Sequence, residues 1–218
     1  MNRVIKRIAN IDMKRIDDLK KSGIHLEFDE TDVLKARAII FGPEDTIYEG
    51  AILYFDITFP INYPYSPLKI NYVPNGNTVR IHPNIYTCGK ICLSILGTWP
   101  GPKWTSIMDV SSVLLSIKSL LDNEPLYHEP GYSPNNSKHK KISKEYNDVI
   151  LHNCVYRLYN ANKYNIPENF KIFESIINKH YIDNKNYIDK IIFKNKNVNK
   201  RVDIPIFRIY EYIQYNTI

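Results

Sequence analysis

The chain has 218 residues, 44% of them apolar and 24% charged, with a formal net charge of +6 and three cysteines. That length fits one domain with an extension, and the longest apolar stretches run to only a few residues, which excludes a membrane-spanning helix. Cys88, Cys92 and Cys154 are odd in number and the first residues lack an apolar secretory segment. Free thiols in the cytoplasm or nucleus are therefore expected, not a disulfide framework.

The charge is uneven, at +4 for residues 1–21, −5 for residues 22–137 and +7 for residues 138–218. A nucleic-acid face requires clustered basic residues interleaved with aromatic or groove-reading elements, and the acidic middle of the chain argues against one. Along residues 2–21, Val4, Ile5, Ile8, Ile11, Ile16 and Leu19 share one side when each residue is turned by about 100°, which predicts an amphipathic helix. Arg3, Arg7, Lys14 and Lys21 fall on the other side with Lys6 beside them, a basic stripe for solvent or for an acidic partner.

From residue 33 to 41, Leu34, Ala36, Ala38 and Ile40 alternate with Lys35 and Arg37. From 51 to 59, Leu53, Phe55, Ile57 and Phe59 alternate with Tyr54, Asp56 and Thr58. Both read as strands with one buried face, joined through Gly42-Pro43-Glu44-Asp45 and followed after Pro60, Pro64 and Pro67 by a short strand near Lys69–Val73. The spacing of Ser106 to Asp109 resembles a capping box, and Val110, Val113, Leu114, Ile117, Leu120 and Leu121 follow at helical intervals, which predicts a buried helix. Residues 138–160, 168–182 and 184–195 read as polar helices, and 204–215 as a helix or a strand. Between strand and helix, residues 74–105 are dense in His, Pro, Asn, Gly, Cys and Trp, and an irregular run of this length inside a compact domain is usually functional.

Cys92 lies in this run. Cys88 and Cys92 are four apart, but His82 is the lone third donor, so a tetrahedral zinc set is incomplete. No protease signature surrounds Cys92, which leaves it as core filler or as a thiol with unusual chemistry.

Tyr63-Pro64-Tyr65-Ser66-Pro67, then His82-Pro83-Asn84, then Cys92 eight residues beyond Asn84, then Trp104 ahead of Ser112–Leu121, resemble in order and spacing a ubiquitin-conjugating enzyme. Leu96-Gly97-Thr98-Trp99-Pro100-Gly101-Pro102, the string from Asn123 to Tyr132, and Ser143–Asn147 place the likeness nearest the Z-type enzyme and the conjugating domain of the giant inhibitor-of-apoptosis ligase. The likeness covers about residues 2–195.

The resemblance implies an α+β fold with an N-terminal helix, a four-stranded antiparallel meander, a central helix and further C-terminal helices. Its catalytic core is expected over residues 1–160, with a helical C-terminal extension over 161–218. It implies a monomeric carrier that takes ubiquitin or a ubiquitin-like protein from an activating enzyme as a cysteine thioester and passes it to a lysine of a protein target, often with a ubiquitin ligase. No cofactor or metal is implied, since ATP is used by the activating enzyme. Neither a membrane nor a nucleic acid is an implied partner.

By the same resemblance Cys92 is the nucleophile, with some thiolate present at neutral pH from an ordinary and partly exposed thiol. Asn84 supplies an amide that stabilises an oxyanion or braces the loop. His82 braces the loop. His128, near the place where many members carry an acid, is a candidate acceptor for the attacking amine's proton. Lys6 and Arg7 match the basic pair that meets the activating enzyme. Tyr65 and Ile107 lie at the ligase contact, where Thr105-Ser106-Ile107 departs from the usual Ser-Pro-Ala. The rival reading is a non-catalytic ubiquitin binder on the same fold, against which Cys92 stands in register.

Overall fold

The structure is a computed structural model that describes residues 2–157 and 165–215. Residues 2–21 form one helical run, as their apolar spacing predicts, but not a uniform one. Helix α1 (Asn2–Arg7) widens into a π turn at Ile8–Asp12, tightens at Met13–Arg15 and resumes as α2 (Ile16–Lys21). Asp12, one turn beyond Ile8, falls on the buried side and is fully covered. Its Oδ1 accepts the Tyr63 hydroxyl at 2.6 Å and the Val110 N–H at 2.8 Å. One carboxylate thereby fastens the N-terminal run to a loop 51 residues away and to a helix start 98 residues away. Burial raises the Asp12 pKa above the ordinary carboxylate value.

Four antiparallel strands follow in sequence order, β1 (Ile24–Phe28), β2 (Lys35–Phe41), β3 (Ile52–Thr58) and β4 (Lys69–Val73). Leu26, Ala38, Phe55 and Tyr72 stand in register on one face. They are buried in the same cluster as Val110, Val113, Leu114 and Ile117 of α3 (Val110–Ser119). Strand β1 was readable by the same alternation, since Ile24, Leu26 and Phe28 flank His25 and Glu27.

The opposite sheet face differs from its expected polarity. Glu27, Arg37, Asp56 and Asn71 form a polar row in register, yet the neighbouring Ile39 and Tyr54 are fully buried. The C-terminal segment covers them. Phe170 meets the Tyr54 ring edge-on at 5.0 Å, and the His180 ring stacks on Phe41 at 3.9 Å.

Three boundaries differ from the sequence reading. Asp109 is the N-cap of α3 and not the acidic third position of a cap at Ser106. Its carboxylate accepts the Ser112 N–H, and the Ser112 hydroxyl accepts the Asp109 N–H. The two polar segments at 168–182 and 184–195 are mostly one helix. After α4 (Ser137–Ile150), a π turn at Leu151–Arg157 and a tight turn at Glu168–Phe173 comes α5 (Glu174–Asn195), which runs through Asp183 because no Gly or Pro interrupts it.

The extension at 161–218 is also not wholly helical. Strands β5 (Asn199–Ile204) and β6 (Ile209–Gln214) form an antiparallel hairpin. Val202, Ile204, Ile209 and Ile213 form its buried side, so of the helix or strand expected at residues 204–215 the strand is found, from Ile209 to Gln214. The hydrophobic core is continuous from Val4 to Tyr215. The expected division at residue 160 lies outside the described residues.

Replacing Asp12 with Ala leaves two donors unpaired, each costing about 1–3 kcal/mol. The Asp12→Ala chain is expected to lose about 3 kcal/mol in urea denaturation and Tyr63→Phe about 1 kcal/mol. Equal midpoints for Asp12→Ala and the unaltered chain would contradict the fastening role.

Candidate active site

Residues 74–105 carry little regular structure, as their composition predicts, and are held by side chains and isolated bridges. The Tyr72 N–H donates to the Gly89 carbonyl at 2.8 Å. Gly89 has φ of 92°, and a Cβ there would lie 3.0 Å from the Tyr72 carbonyl oxygen, so only glycine permits this approach. Ile85 bridges to both His82 and Ile91. The Tyr48 hydroxyl donates to the Ile81 carbonyl at 2.7 Å and the Tyr146 hydroxyl to the Arg80 carbonyl at 2.8 Å. Arg80 donates to the Pro83 carbonyl, stacks over Tyr86 at 3.8 Å and pairs with Glu129 at 3.8 Å.

Cys92 and Asn84 are joined in both directions. The Cys92 N–H donates to the Asn84 carbonyl at 2.8 Å, and Asn84 Nδ2 donates to the Cys92 carbonyl at 2.9 Å. Of the two roles open to Asn84, bracing is the one its amide performs in this state. The Asn84 N–H in turn donates to His82 Nδ1 at 2.9 Å. His82 is fully buried, and burial drives its pKa well below the ordinary value, with His128 and Arg80 adding to the effect. It is a neutral ring whose single proton lies on Nε2, because Nδ1 accepts.

His128 completes this chain of contacts. Its ring meets His82 in a T-shaped contact with centroids 4.9 Å apart, and its Nε2 lies 2.7 Å from Asp122 Oδ2. Asp122 Oδ1 accepts the Glu124 N–H at 2.8 Å. Asp122 escaped the sequence reading, since nothing in its spacing marks it until the turn Pro125–His128 folds His128 back onto it.

The accessible sulfur expected at Cys92 is not found, because Cys92 is only 2% exposed. Thr98 closes the chain around it. The Thr98 hydroxyl accepts the Leu93 N–H at 2.9 Å and donates to the Ile91 carbonyl at 2.8 Å, and the Thr98 N–H reaches the Leu93 carbonyl at 3.2 Å. Residues on both sides of Cys92 are thus clasped by one side chain, another residue that the sequence did not single out. Cys88 is exposed, while Cys154 lies in the core, where burial raises its thiol pKa. Among the described residues no group of three His, Cys, Asp or Glu is placed to hold a metal, and no helix is long and apolar enough to cross a membrane.

The expected docking residues lie apart from this network. Lys6 is exposed. Arg7 instead reaches the Met108 carbonyl at 2.9 Å and so braces the approach to α3. Tyr65 is 76% exposed and Ile107 85%. Trp104 Nε1 donates to the Pro64 carbonyl at 2.6 Å and ties their two loops together.

A family model described as "Ubiquitin-conjugating enzyme" matches residues 8–153. The chain is 43% identical over 134 residues to the Homo sapiens "Ubiquitin-conjugating enzyme E2 Z", covering 61% of this chain and 37% of that protein. The Xenopus tropicalis protein of the same name is 41% identical over 155 residues, covering 71% of this chain and 49% of its own length. The chain therefore spans less than half of these relatives. A solved E2 domain of a Toxoplasma gondii ubiquitin conjugating enzyme is 28% identical with a TM-score of 0.49, covering 68% of this chain and 94% of that one.

Iodoacetamide followed by peptide mapping is expected to label Cys88 quickly and Cys92 slowly, since only exposed thiolate reacts readily. Thr98→Val removes the clasp and is expected to speed labelling of Cys92 about tenfold while leaving Cys88 unchanged, the gain following from a larger open fraction. Equal Cys92 labelling in both chains would show that Thr98 does not hold the site closed.

Proposed function

The chain belongs to the ubiquitin-conjugating enzyme family, and from that premise we propose that it carries ubiquitin or a ubiquitin-like protein as a thioester on Cys92. The observation that carries this reading is the reciprocal pairing of Cys92 and Asn84, which seats a thiol and a side-chain amide on one turn.

In the first step the Cys92 thiolate attacks the thioester carbonyl presented by an activating enzyme. A new C–S bond forms on Cys92 and the activating enzyme's thiolate leaves. In the second step a neutral lysine amine attacks the same carbonyl, a C–N bond forms, and the Cys92 C–S bond breaks. Both steps pass through an oxyanion, for which Asn84 Nδ2 is the nearby donor once it releases the Cys92 carbonyl. A donor of this type is typically worth about 10²–10³ in rate. ATP is spent by the activating enzyme, so this chain needs no cofactor of its own.

The basic stripe with Lys6 serves encounter with the activating enzyme, and Arg7 contributes by fixing the adjoining turn. Tyr65 and Ile107 form the surface offered to a ligase. Residues 1–160 hold the carrier chemistry, with 161–218 as an extension. A non-catalytic binder on the same fold would have no use for a thiol so placed.

Charging with activating enzyme, ATP and modifier, read on a non-reducing gel, tests this reading. The unaltered chain is expected to give a reductant-sensitive band and Cys92→Ala none, while Cys92→Ser gives a reductant-stable ester or nothing. A reductant-sensitive band from Cys92→Ala would overturn the assignment. Lys6→Glu is expected to slow charging severalfold at low salt and less at high salt, because charge complementarity acts mainly on association rate. An unchanged rate at low salt would remove Lys6 from the encounter surface.

A further inference from the structure

Besides the loop brace and the thiol, the site holds one polar pair with no bracing duty toward Cys92, Asp122 with His128. We infer that Asp122 and His128 act together on the incoming amine, with His128 accepting its proton and Asp122 as the positioning residue that fixes the imidazole. This rests on the carrier reading of Cys92 and adds a proton acceptor to it.

The tautomer follows from the geometry. The Nε2 of His128 lies 2.7 Å from a carboxylate oxygen, which only accepts, so in the neutral ring the proton sits on Nε2 and Nδ1 presents its lone pair. Among the described residues no hydrogen bond involves that Nδ1. The His128 side chain is 33% exposed, so a substrate amine arriving from solvent can reach it. Asp122 is held in turn by the Glu124 N–H. The ring is set against His82, which connects through the Asn84 N–H to the turn that carries Cys92.

The charged and titratable surroundings of His128 are consistent with this role. Asp122 approaches from the end of α3, neutral His82 from the catalytic segment, and Glu129 from the following residue, itself paired with Arg80. Buried and without a free lone pair, His82 cannot serve as the acceptor.

The chemistry balances. A lysine arrives as an ammonium ion and gives one proton to His128 Nδ1 as it is engaged. The neutral amine attacks the thioester carbonyl and forms the C–N bond, its second proton passes to water, and the C–S electrons leave on Cys92 Sγ. The products are an amide, a Cys92 thiolate and an imidazolium held by Asp122.

The test is single-turnover discharge of the preformed thioester in the whole chain, with two nucleophiles. Free lysine must lose a proton first, its ammonium having a pKa near 10.4, whereas hydroxylamine is largely neutral at pH 7. At pH 7, His128→Gln is expected to discharge lysine about a hundredfold more slowly, the usual scale of general base catalysis. Asp122→Asn is expected to lose about tenfold, and Asp122→Glu to recover most of that loss. Hydroxylamine discharge is expected to stay within about twofold in all three variants, and the lysine deficit to shrink as pH rises toward the amine's own pKa.

Equal losses with both nucleophiles would reduce the pair to a brace and overturn the inference. So would unchanged lysine discharge, or a lysine deficit independent of pH. Failure of the unaltered chain to form any thioester would instead refute the carrier reading, and the pair with it.

Discussion

A buried segment without regular structure has to find a partner for each backbone polar group, because an unpaired buried group costs about 1–3 kcal/mol. The buried stretches of residues 74–105, around 79–85 and 91–93, live under that constraint, and much of the site's architecture is its solution. Tyr48 and Tyr146 cap the carbonyls of Ile81 and Arg80 from outside the segment. His82, Asn84 and Thr98 supply partners from within it. Side chains that would be read as chemical groups are thus first of all replacements for missing strand neighbours, and this holds Cys92 in place without a helix or a sheet around it.

The same constraint explains what was legible beforehand. The repeating patterns report burial on one face, so the N-terminal run, the strands at 35–41 and 52–58 and α3 could be read from Val4, Ala38, Phe55 and Val113. Patterns fail where a second layer covers the other face. Tyr54 looked polar-facing until Phe170, 116 residues later, is seen to bury it. The hairpin β5–β6 was illegible for a related reason, since its apolar side is completed by α4, where Tyr146 meets Phe207 at 4.8 Å.

Cys92, Asn84 and His82 stand in order in one motif, and the fold brings the three into contact. Asp122 and Thr98 were not legible, because their roles arise from turns that bring them back onto His128 and onto the residues flanking Cys92. A sequence shows which groups are present near a site. It shows poorly which of them meet, when the meeting depends on a tight turn such as Pro125–His128.

The covered sulfur gives these contacts a consequence for rate. A thiol that reacts only from an open form loses reactivity in proportion to the open fraction, so an open population of about 1% costs about a hundredfold. Asn84 belongs to both forms. While its amide donates one N–H to the Cys92 carbonyl it braces the closed turn, and that N–H is not free to meet an oxyanion. Opening the turn around Thr98 and freeing the Asn84 amide are therefore coupled, for both involve the backbone on either side of one residue, Cys92. A partner that favoured the open turn would raise sulfur access and donor availability together, and would act on rate without supplying any catalytic group of its own.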